Sequence, residues 1–276
     1  MTSREPDLER FAAELRGEVV AMSHRAKTPH LGSSLSCIDL LAVLYREFLR
    51  IDPGHPDDPA RDRFILGKGH AAPALYATLC ARSFFSKSLL DDFAKPGAAL
   101  AEQPAPGCAP GVEWATGSLG HGLSVGLGMA LAARMRNLPF RTVVLLGDGE
   151  CNEGSIWEAA MLAAAQKTGT LTAIVDYNKW QATGRSDEIL ALAPLREKWN
   201  AFGWESVEID GHDFDQIRSA LALAAAAARS RPLAIIAHTV KGRGVSFMED
   251  DNNWHYRIPD DGELAAARRE LGLDPS

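Results

Sequence analysis

The stretch RTVVLLGDGECNEGSIWEAA, residues 141–160, decides the fold. Residues 142–146 form an apolar, largely β-branched run too continuous to face water on one side, which predicts a strand covered on both faces. The run ends in Gly147, Asp148 and Gly149. A helix is expected from about Ser155, where Ser155 and Glu158 have the spacing of a capping box. A carboxylate is thereby set at the carboxyl end of a strand, where open α/β sheets bind ligands. The flanking glycines carry no side chain that would block a bulky anion.

Working outward, residues 171–175, 207–209 and 233–237 are similar runs, with 64–66 as a shorter fifth. Helical spacing occupies 123–135, 156–166, 195–202 and 214–229, preceded by 8–25 and 38–49. This alternation predicts an α/β fold, a parallel sheet with helices on both faces. No repeat and no Ser-, Gly- or Pro-rich linker divides the chain, so residues 1–276 are read as one domain. The alanines from Ala224 to Ala228 favour a helix. Residues 95–120 differ: Pro96, Pro104, Pro106 and Pro110 alternate with Gly97, Gly107, Gly111, Gly117 and Gly120. A loop of this length in a compact domain is expected to be an ordered binding loop.

The second run leads into Asp176, Tyr177, Asn178, Lys179 and Trp180. In a parallel sheet Asp148 and Asn178 leave adjacent strands at the same edge. A carboxylate, an amide oxygen and a main-chain carbonyl beyond Asn178 form a partial shell of hard ligands. Such a shell suits Mg²⁺ or Ca²⁺ completed by phosphate oxygens and water. The competing reading of either residue alone is an Asx turn at a strand end.

Composition narrows the function. The 276 residues are 46% hydrophobic and 24% charged, with 29 basic and 36 acidic side chains and a net charge of −7. An acidic surface argues against nucleic acid or anionic membrane as a partner. Cys37, Cys80, Cys108 and Cys151 form no CxxC pair and no zinc-spaced cluster, and read as reduced thiols. The N-terminal MTSREPDLER has no apolar signal region, and no run approaches the ~18 apolar residues of a membrane span. The expected location is the cytoplasm.

Taken together with motifs elsewhere, these residues resemble the transketolase family in its N-terminal, thiamine diphosphate-binding half. The matching stretches are GDGECNEGSIWEAAMLAA, DYNKWQATG, HLGSSLS from His30, LGKGHA from Leu66, PGVEWATGSLGHGLSVGLGMA from Pro110, DGHD from Asp210 and HTVKGRGVSFMEDDNNWH from His238. They follow family order over nearly the whole chain. The resemblance implies the thiamine diphosphate-binding (PP-domain) fold, with Mg²⁺, for which Ca²⁺ can substitute, held by Asp148, Asn178 and the main-chain oxygen of Trp180. It implies that His70 and His255 contact the diphosphate with Gly149 close by, and that Gly117 and Leu119 line the aminopyrimidine pocket. Glu153 matches a glutamate in the network joining two cofactor sites, and His30 a histidine beside the donor substrate and the reacting carbon. His30, His70, His255 and Glu153 are thus the catalytic candidates.

Two positions depart from the family pattern. Gln103, followed by Pro104, stands where a histidine normally touches the donor sugar; glutamine can hydrogen-bond a hydroxyl but cannot titrate. Pro29 replaces the frequent glycine before His30. The implied reaction moves a two-carbon ketol unit from a ketose or ketose phosphate to an aldose. In the family, a following pyrimidine-binding domain supplies a carboxylate and an aromatic ring to the cofactor. None is recognised in this sequence, so the resemblance implies a separate C-terminal-half subunit in an α2β2 assembly. Alternatives are another thiamine diphosphate-dependent synthase or 2-oxo acid-decarboxylating component, or a non-catalytic binding subunit. A dinucleotide site is disfavoured because Gly122, Gly126 and Gly128 do not fit GxGxxG. His24 and His55 read as surface or hydrogen-bonded structural residues, Trp254 as packing beside His255, and His121, His212 and His238 remain open.

Overall fold

The computed structural model describes residues 8–226 and 229–273. Its strands are β1 (Arg63–Leu66), β2 (Thr142–Gly147), β3 (Leu171–Tyr177), β4 (Glu205–Asp210) and β5 (Leu233–His238), in the sheet order β1-β2-β3-β5-β4. Every neighbouring pair is parallel. All residues of β2 and β3 are buried, as their unbroken apolar runs require. The edge strand β4 alternates instead.

The helices are α1 (Leu8–Ala26), α2 (Leu31–Ser36), α3 (Ile38–Val43), α4 (Ala72–Ala81), α5 (Lys87–Asp91), α6 (His121–Met135), α7 (Gly154–Ala165), α8 (Ser186–Ile189), α9 (Leu195–Ala201), α10 (Phe214–Ala225) and α11 (Asp261–Glu270). They lie on both faces of the sheet. Val143 and Leu145 join the core under α1, α3, α4 and α10, whereas Val144 and Leu146 join the core under α6, α7 and α9. The two-residue period of a strand makes this division. The four cysteines are free, and among the described residues no helix is long and apolar enough to cross a membrane.

Three local expectations are corrected. No capping box forms at Ser155: α7 begins at Gly154 after Glu153, and the Ser155 hydroxyl donates to the Gly120 carbonyl at 3.0 Å, tying α7 to the start of α6. The hydroxyl serves a carbonyl of another element rather than its own helix. A complete capping box occurs at Asp260 and Glu263. The helix expected over 38–49 is α-helical only to Val43 and closes as a π-turn over Leu44–Phe48, with Leu49 N–H bonded five residues back to Leu44. The helix expected to reach Arg229 ends at Ala225, because Ala226 leaves helical angles (φ −58°, ψ 131°). Ala227 and Ala228, the end of the alanine tract, and the N-terminal residues 1–7 lie outside the described residues.

Residues 95–120 contain no helix or strand, yet they are anchored. Leu100 and Ala109 are buried, and Glu113 pairs with Arg61 and Arg63 at the foot of β1. The segment then enters α6, which lies unusually close to the sheet. A Cβ on Gly126 would stand 2.5 Å from a Val144 methyl, and one on Gly122 would stand 2.9 Å from the Gly67 Cα. Gly128, two residues further along the same helix, points into open space. Gly126→Val should therefore cost ~1–3 kcal/mol through overpacking. Gly128→Ala should leave the chain as stable or up to ~1 kcal/mol more stable. Urea unfolding of the two variants checks the contrast.

Candidate active site

The β2–β3 register pairs Gly147 with Asp176, so Asp148 and Asn178 emerge just beyond the same sheet edge. Asp148 is 2% exposed. Its Oδ1 accepts the Gly149 N–H at 2.9 Å, and its Oδ2 accepts the Lys179 N–H and the Ser186 hydroxyl, each at 2.8 Å. Burial pushes its carboxyl up to about 6. Asn178 Oδ1 accepts the Trp180 N–H at 3.1 Å while Nδ2 donates to Asp176 at 3.3 Å. The Asx-turn bond is thus present at Asn178 but not at Asp148, which accepts from the very next residue, and Asp176 fixes which way the Asn178 amide faces. The Trp180 carbonyl accepts no hydrogen bond among the described residues. Its indole is held outside: Trp180 Nε1 donates to Asp250, Arg185 bonds both Asp250 oxygens at 2.7 Å, and the Arg185 guanidinium lies 3.7 Å from the centre of the Trp180 indole ring.

Behind this edge Asp176 is wholly buried among donors. It accepts from Lys68, Thr239 and, at 2.6 Å, Ser36, while Lys68 Nζ also donates to the Ser33 carbonyl at 2.8 Å. Burial alone would raise Asp176; the Lys68 ammonium together with the Ser36 and Thr239 hydroxyls outweighs it and holds the carboxyl below its ordinary value. Glu150 is a second buried carboxylate, raised by burial to about 7. It accepts Gly120 N–H at 3.0 Å with Oε1 and Gly147 N–H at 3.1 Å with Oε2, clasping the long loop to the end of β2.

Three histidines face one another across the opening. Ring centres lie 4.9 Å apart for His30 and His255, 5.4 Å for His30 and His70, and 6.0 Å for His70 and His255. His30 sits in the left-handed region (φ 70°), and its N–H donates to the His255 carbonyl at 2.9 Å. Burial, followed by the surrounding cations and imidazoles, depresses His70 well below the ordinary value and His255 to about 3. His30 is lowered too, by burial first. Neutral imidazoles result.

These groups border one cleft of about 390 Å³. His30, His70 and His255 form one wall, and Gln103, Gly117 and Leu119 come from the long loop. Gly149, Glu153, Asn178 and Trp180 complete the sequence-expected set at its border. Asp148 alone does not line the surface and lies just beneath it. Sequence reasoning missed Ser33, Lys68, Glu150, Asn152 and Gln181 on the lining, and Lys241 behind it. Lys68 and Lys241 stood inside the family-like stretches, but an isolated lysine reads as solvated until its buried partner is seen. The remaining histidines make other contacts. His24 meets Asp261 at 2.9 Å, His55 meets Asp52 at 2.8 Å, and His212 bridges Asp39 and Val240 N–H. His238 stands 3.7 Å from Glu208, and His121 is exposed at the start of α6.

The donor set fits a hard divalent cation with a diphosphate. No three His, Cys, Asp or Glu side chains among the described residues gather as a metal site, so a cation here would rely on one carboxylate, one amide oxygen, a main-chain oxygen and ligand oxygens. Two lining residues hold buried polar atoms with no partner, Asn152 Oδ1 and Gln181 Nε2. The Lys68 ammonium on the lining, the Lys241 ammonium behind His255 and the neutral imidazoles supply hydrogen-bond donors of the kind an anion requires.

The fold is that of thiamine diphosphate-binding α/β domains. It matches transketolase from Leishmania mexicana with a TM-score of 0.92 at 28% identity, over 98% of this chain and 42% of that one. The match to transketolase from Campylobacter jejuni has a TM-score of 0.91, again over 43% of the larger chain. The chain spans about two fifths of these transketolases. The family model described as transketolase, thiamine diphosphate binding domain, matches residues 9–276. The chain belongs to the transketolase family. It is 41% identical to an apulose-4-phosphate transketolase subunit from Phocaeicola vulgatus, over 96% of this chain and 93% of that protein. It is 43% identical to the 6-deoxy-6-sulfo-D-fructose transketolase subunit SqwG of a Clostridium species, over 90% of each.

Two consequences are measurable. Glu150→Ala leaves the Gly120 and Gly147 amides without an acceptor and should cost ~1–3 kcal/mol, with hydrogen exchange at Gly120 and Gly147 accelerated relative to the unsubstituted chain more than within α6. For Asp148, the folded carboxyl titrates near 6 against an ordinary 3.8. The cost of burying its charge is absent below the lower value, grows as pH rises, and is complete above the upper. Without divalent cation, the stability of the unsubstituted chain relative to Asp148→Asn should fall by on the order of 3 kcal/mol across that window. Urea unfolding of both proteins at a series of pH values reads the difference.

Proposed function

We propose that the chain is the N-terminal, diphosphate-binding subunit of a two-subunit transketolase, moving a two-carbon ketol unit from a ketose or ketose phosphate to an aldose. The observation that carries this reading is one cleft bordered by His30, His70, His255, Gln103, Gly117, Leu119, Gly149, Glu153, Asn178 and Trp180. Support comes from relatives named transketolase subunits that the chain spans almost end to end. Bound thiamine diphosphate supplies the electron sink that side chains lack.

In this reading Asp148, Asn178 and the Trp180 carbonyl hold Mg²⁺, with Ca²⁺ able to replace it. His70 and His255, neutral because they are buried among cations, offer N–H groups to diphosphate oxygens, and Gly149 lets those oxygens approach its backbone. Gly117 and Leu119 line the ring end. Gly117 has φ 132°, and a Cβ there would stand 1.8 Å from Gln103 Oε1, so only glycine permits this packing. His30 holds or moves a proton at a substrate hydroxyl, since a neutral imidazole has one N–H and one lone pair. Gln103 orients a donor hydroxyl without exchanging a proton. Glu153 is exposed at the rim, and in this reading it joins the network between two cofactor sites.

The partner is a separate transketolase C-terminal-half subunit, in an α2β2 assembly, contributing the carboxylate and aromatic ring for the pyrimidine. The free thiols suit a cytoplasmic setting, and the acidic balance argues against nucleic acid or an anionic membrane as partner. Gln103 also favours a second reading, in which the same cofactor serves a specialised donor or a 2-oxo acid.

The test combines the chain with its C-terminal-half partner, thiamine diphosphate and Mg²⁺, and measures transfer from several ketoses and ketose phosphates to aldehydes. Transfer is expected from at least one donor, with Asp148→Ala and Asn178→Ala each lowering kcat/KM by ~100-fold or more. Decarboxylation of a 2-oxo acid in place of transfer would select the second reading. Cofactor binding by calorimetry with neither reaction would leave a binding subunit.

A further inference from the structure

Lys241 follows the end of β5 and is fully buried, yet it is absent from the cleft lining. Its stem packs against α2, where a Cβ on Gly32 would stand 3.0 Å from the Lys241 Cγ, and Gly242 N–H bonds the Gly32 carbonyl at 2.9 Å. The ammonium is thus held in place by a helix. It donates to Asn252 Oδ1 at 2.7 Å and lies 3.1 Å from His255 Nδ1. An ammonium has donors and no lone pair, so the ring nitrogen facing it must accept. The neutral imidazole then carries its proton on Nε2. That nitrogen makes no hydrogen bond among the described residues, while the ring borders the cleft.

We propose that Lys241 is a positioning residue that holds His255 as the neutral, Nε2-protonated tautomer and so turns it into an obligate donor toward an oxygen anion in the cleft. The role toward an anion rests on the proposed cofactor site; the tautomer does not.

The surroundings agree. Lys241, His30 and Lys68 all oppose a proton on His255, after burial itself. Lys241 is lowered to about 8, by burial and then Lys68, while Asp148, Asp176 and Asp251 pull the other way, so it remains charged at neutral pH. The ring is flanked by His30, edge-on at 90° between planes, and by Tyr256 at 4.8 Å between centres. A flipped ring would bring a carbon against the ammonium.

The experiment uses the full chain with ¹⁵N-labelled histidine and long-range ¹H–¹⁵N correlation, His255 being assigned by His255→Asn. In the unsubstituted protein His255 should be neutral and Nε2-protonated from mildly acidic to neutral pH. Lys241→Met keeps the length of the stem but not the donor or charge. It should let the Nδ1-protonated tautomer appear and raise the His255 titration by about one unit or more. Lys241→Arg, which keeps both donor and charge, should restore the original tautomer. An Nδ1-protonated or doubly protonated His255 at neutral pH in the unsubstituted protein overturns the proposal. So does an unchanged spectrum in Lys241→Met. Should that variant not fold, the unsubstituted protein and Lys241→Arg still decide. Neither cofactor nor activity enters, so a failed transfer assay beside the expected spectra would sink the proposed function alone.

Discussion

The buried pair of Lys68 and Asp176 organises the edge of the sheet on which the site is built. Such a pair gains little stability over an apolar one, because both charges lose their water. What it imposes is geometry. Asp176 at the end of β3 collects the Lys68 ammonium from beyond β1, the Ser36 hydroxyl from α2, the Thr239 hydroxyl from beyond β5 and the Asn178 amide. Loops from strands far apart in sequence are thereby held at one point, and the Asn178 oxygen faces away from it. Removing either charge would leave the other buried, and removing the Asp176 carboxylate would release these loops together.

Around that pair the site carries an electrostatic load that the folded chain satisfies only in part. Asp148 and Glu150 are raised by burial, while His30, His70 and His255 are lowered by it and by neighbouring cations. Lys68 pairs directly with Asp176, whereas the Asp148 carboxylate meets only uncharged donors and the Lys241 ammonium meets Asn252 and His255. A divalent cation beside Asp148 and an oxyanion near Lys241 would each meet a charge that has no ion pair among the described residues. The net charge of −7 belongs to the whole chain, whereas the cleft gathers the Lys68 ammonium and neutral imidazole N–H donors at one place, the kind of donors that meet an anion.

Legibility in the sequence followed the range of the interactions. The runs that became β2 and β3 were unmistakable because burial on both faces demands continuous apolar residues, and parallel pairing then placed Asp148 and Asn178 together. Helix ends were less legible. Ser155 had a capping spacing but found the Gly120 carbonyl just before another helix, and the turn at Leu44–Phe48 took a wider hydrogen-bond pattern than any local signal shows. Lys68 was the least readable, since its partner lies 108 residues away and nothing near it in the chain announces burial. Glu150 escaped for a related reason: its role is to receive two backbone N–H groups, one from a loop whose path no periodicity could give.

That path matters for substrate choice. The long loop is fixed by Glu113 on Arg61 and Arg63 at one point and by Gly120 on Glu150 at its end, so Gln103 occupies a defined place over Gly117. An amide there contributes one acceptor and two donors at any pH. The histidines beside it are held neutral, so none of these cleft side chains offers a fixed cation to the donor side of the opening at neutral pH. In the proposed reading Gln103 and His30 would meet a donor's hydroxyls, and the lining ammonium of Lys68 is already paired with Asp176, so selection at this wall would rest on hydrogen-bond geometry rather than on ion pairing.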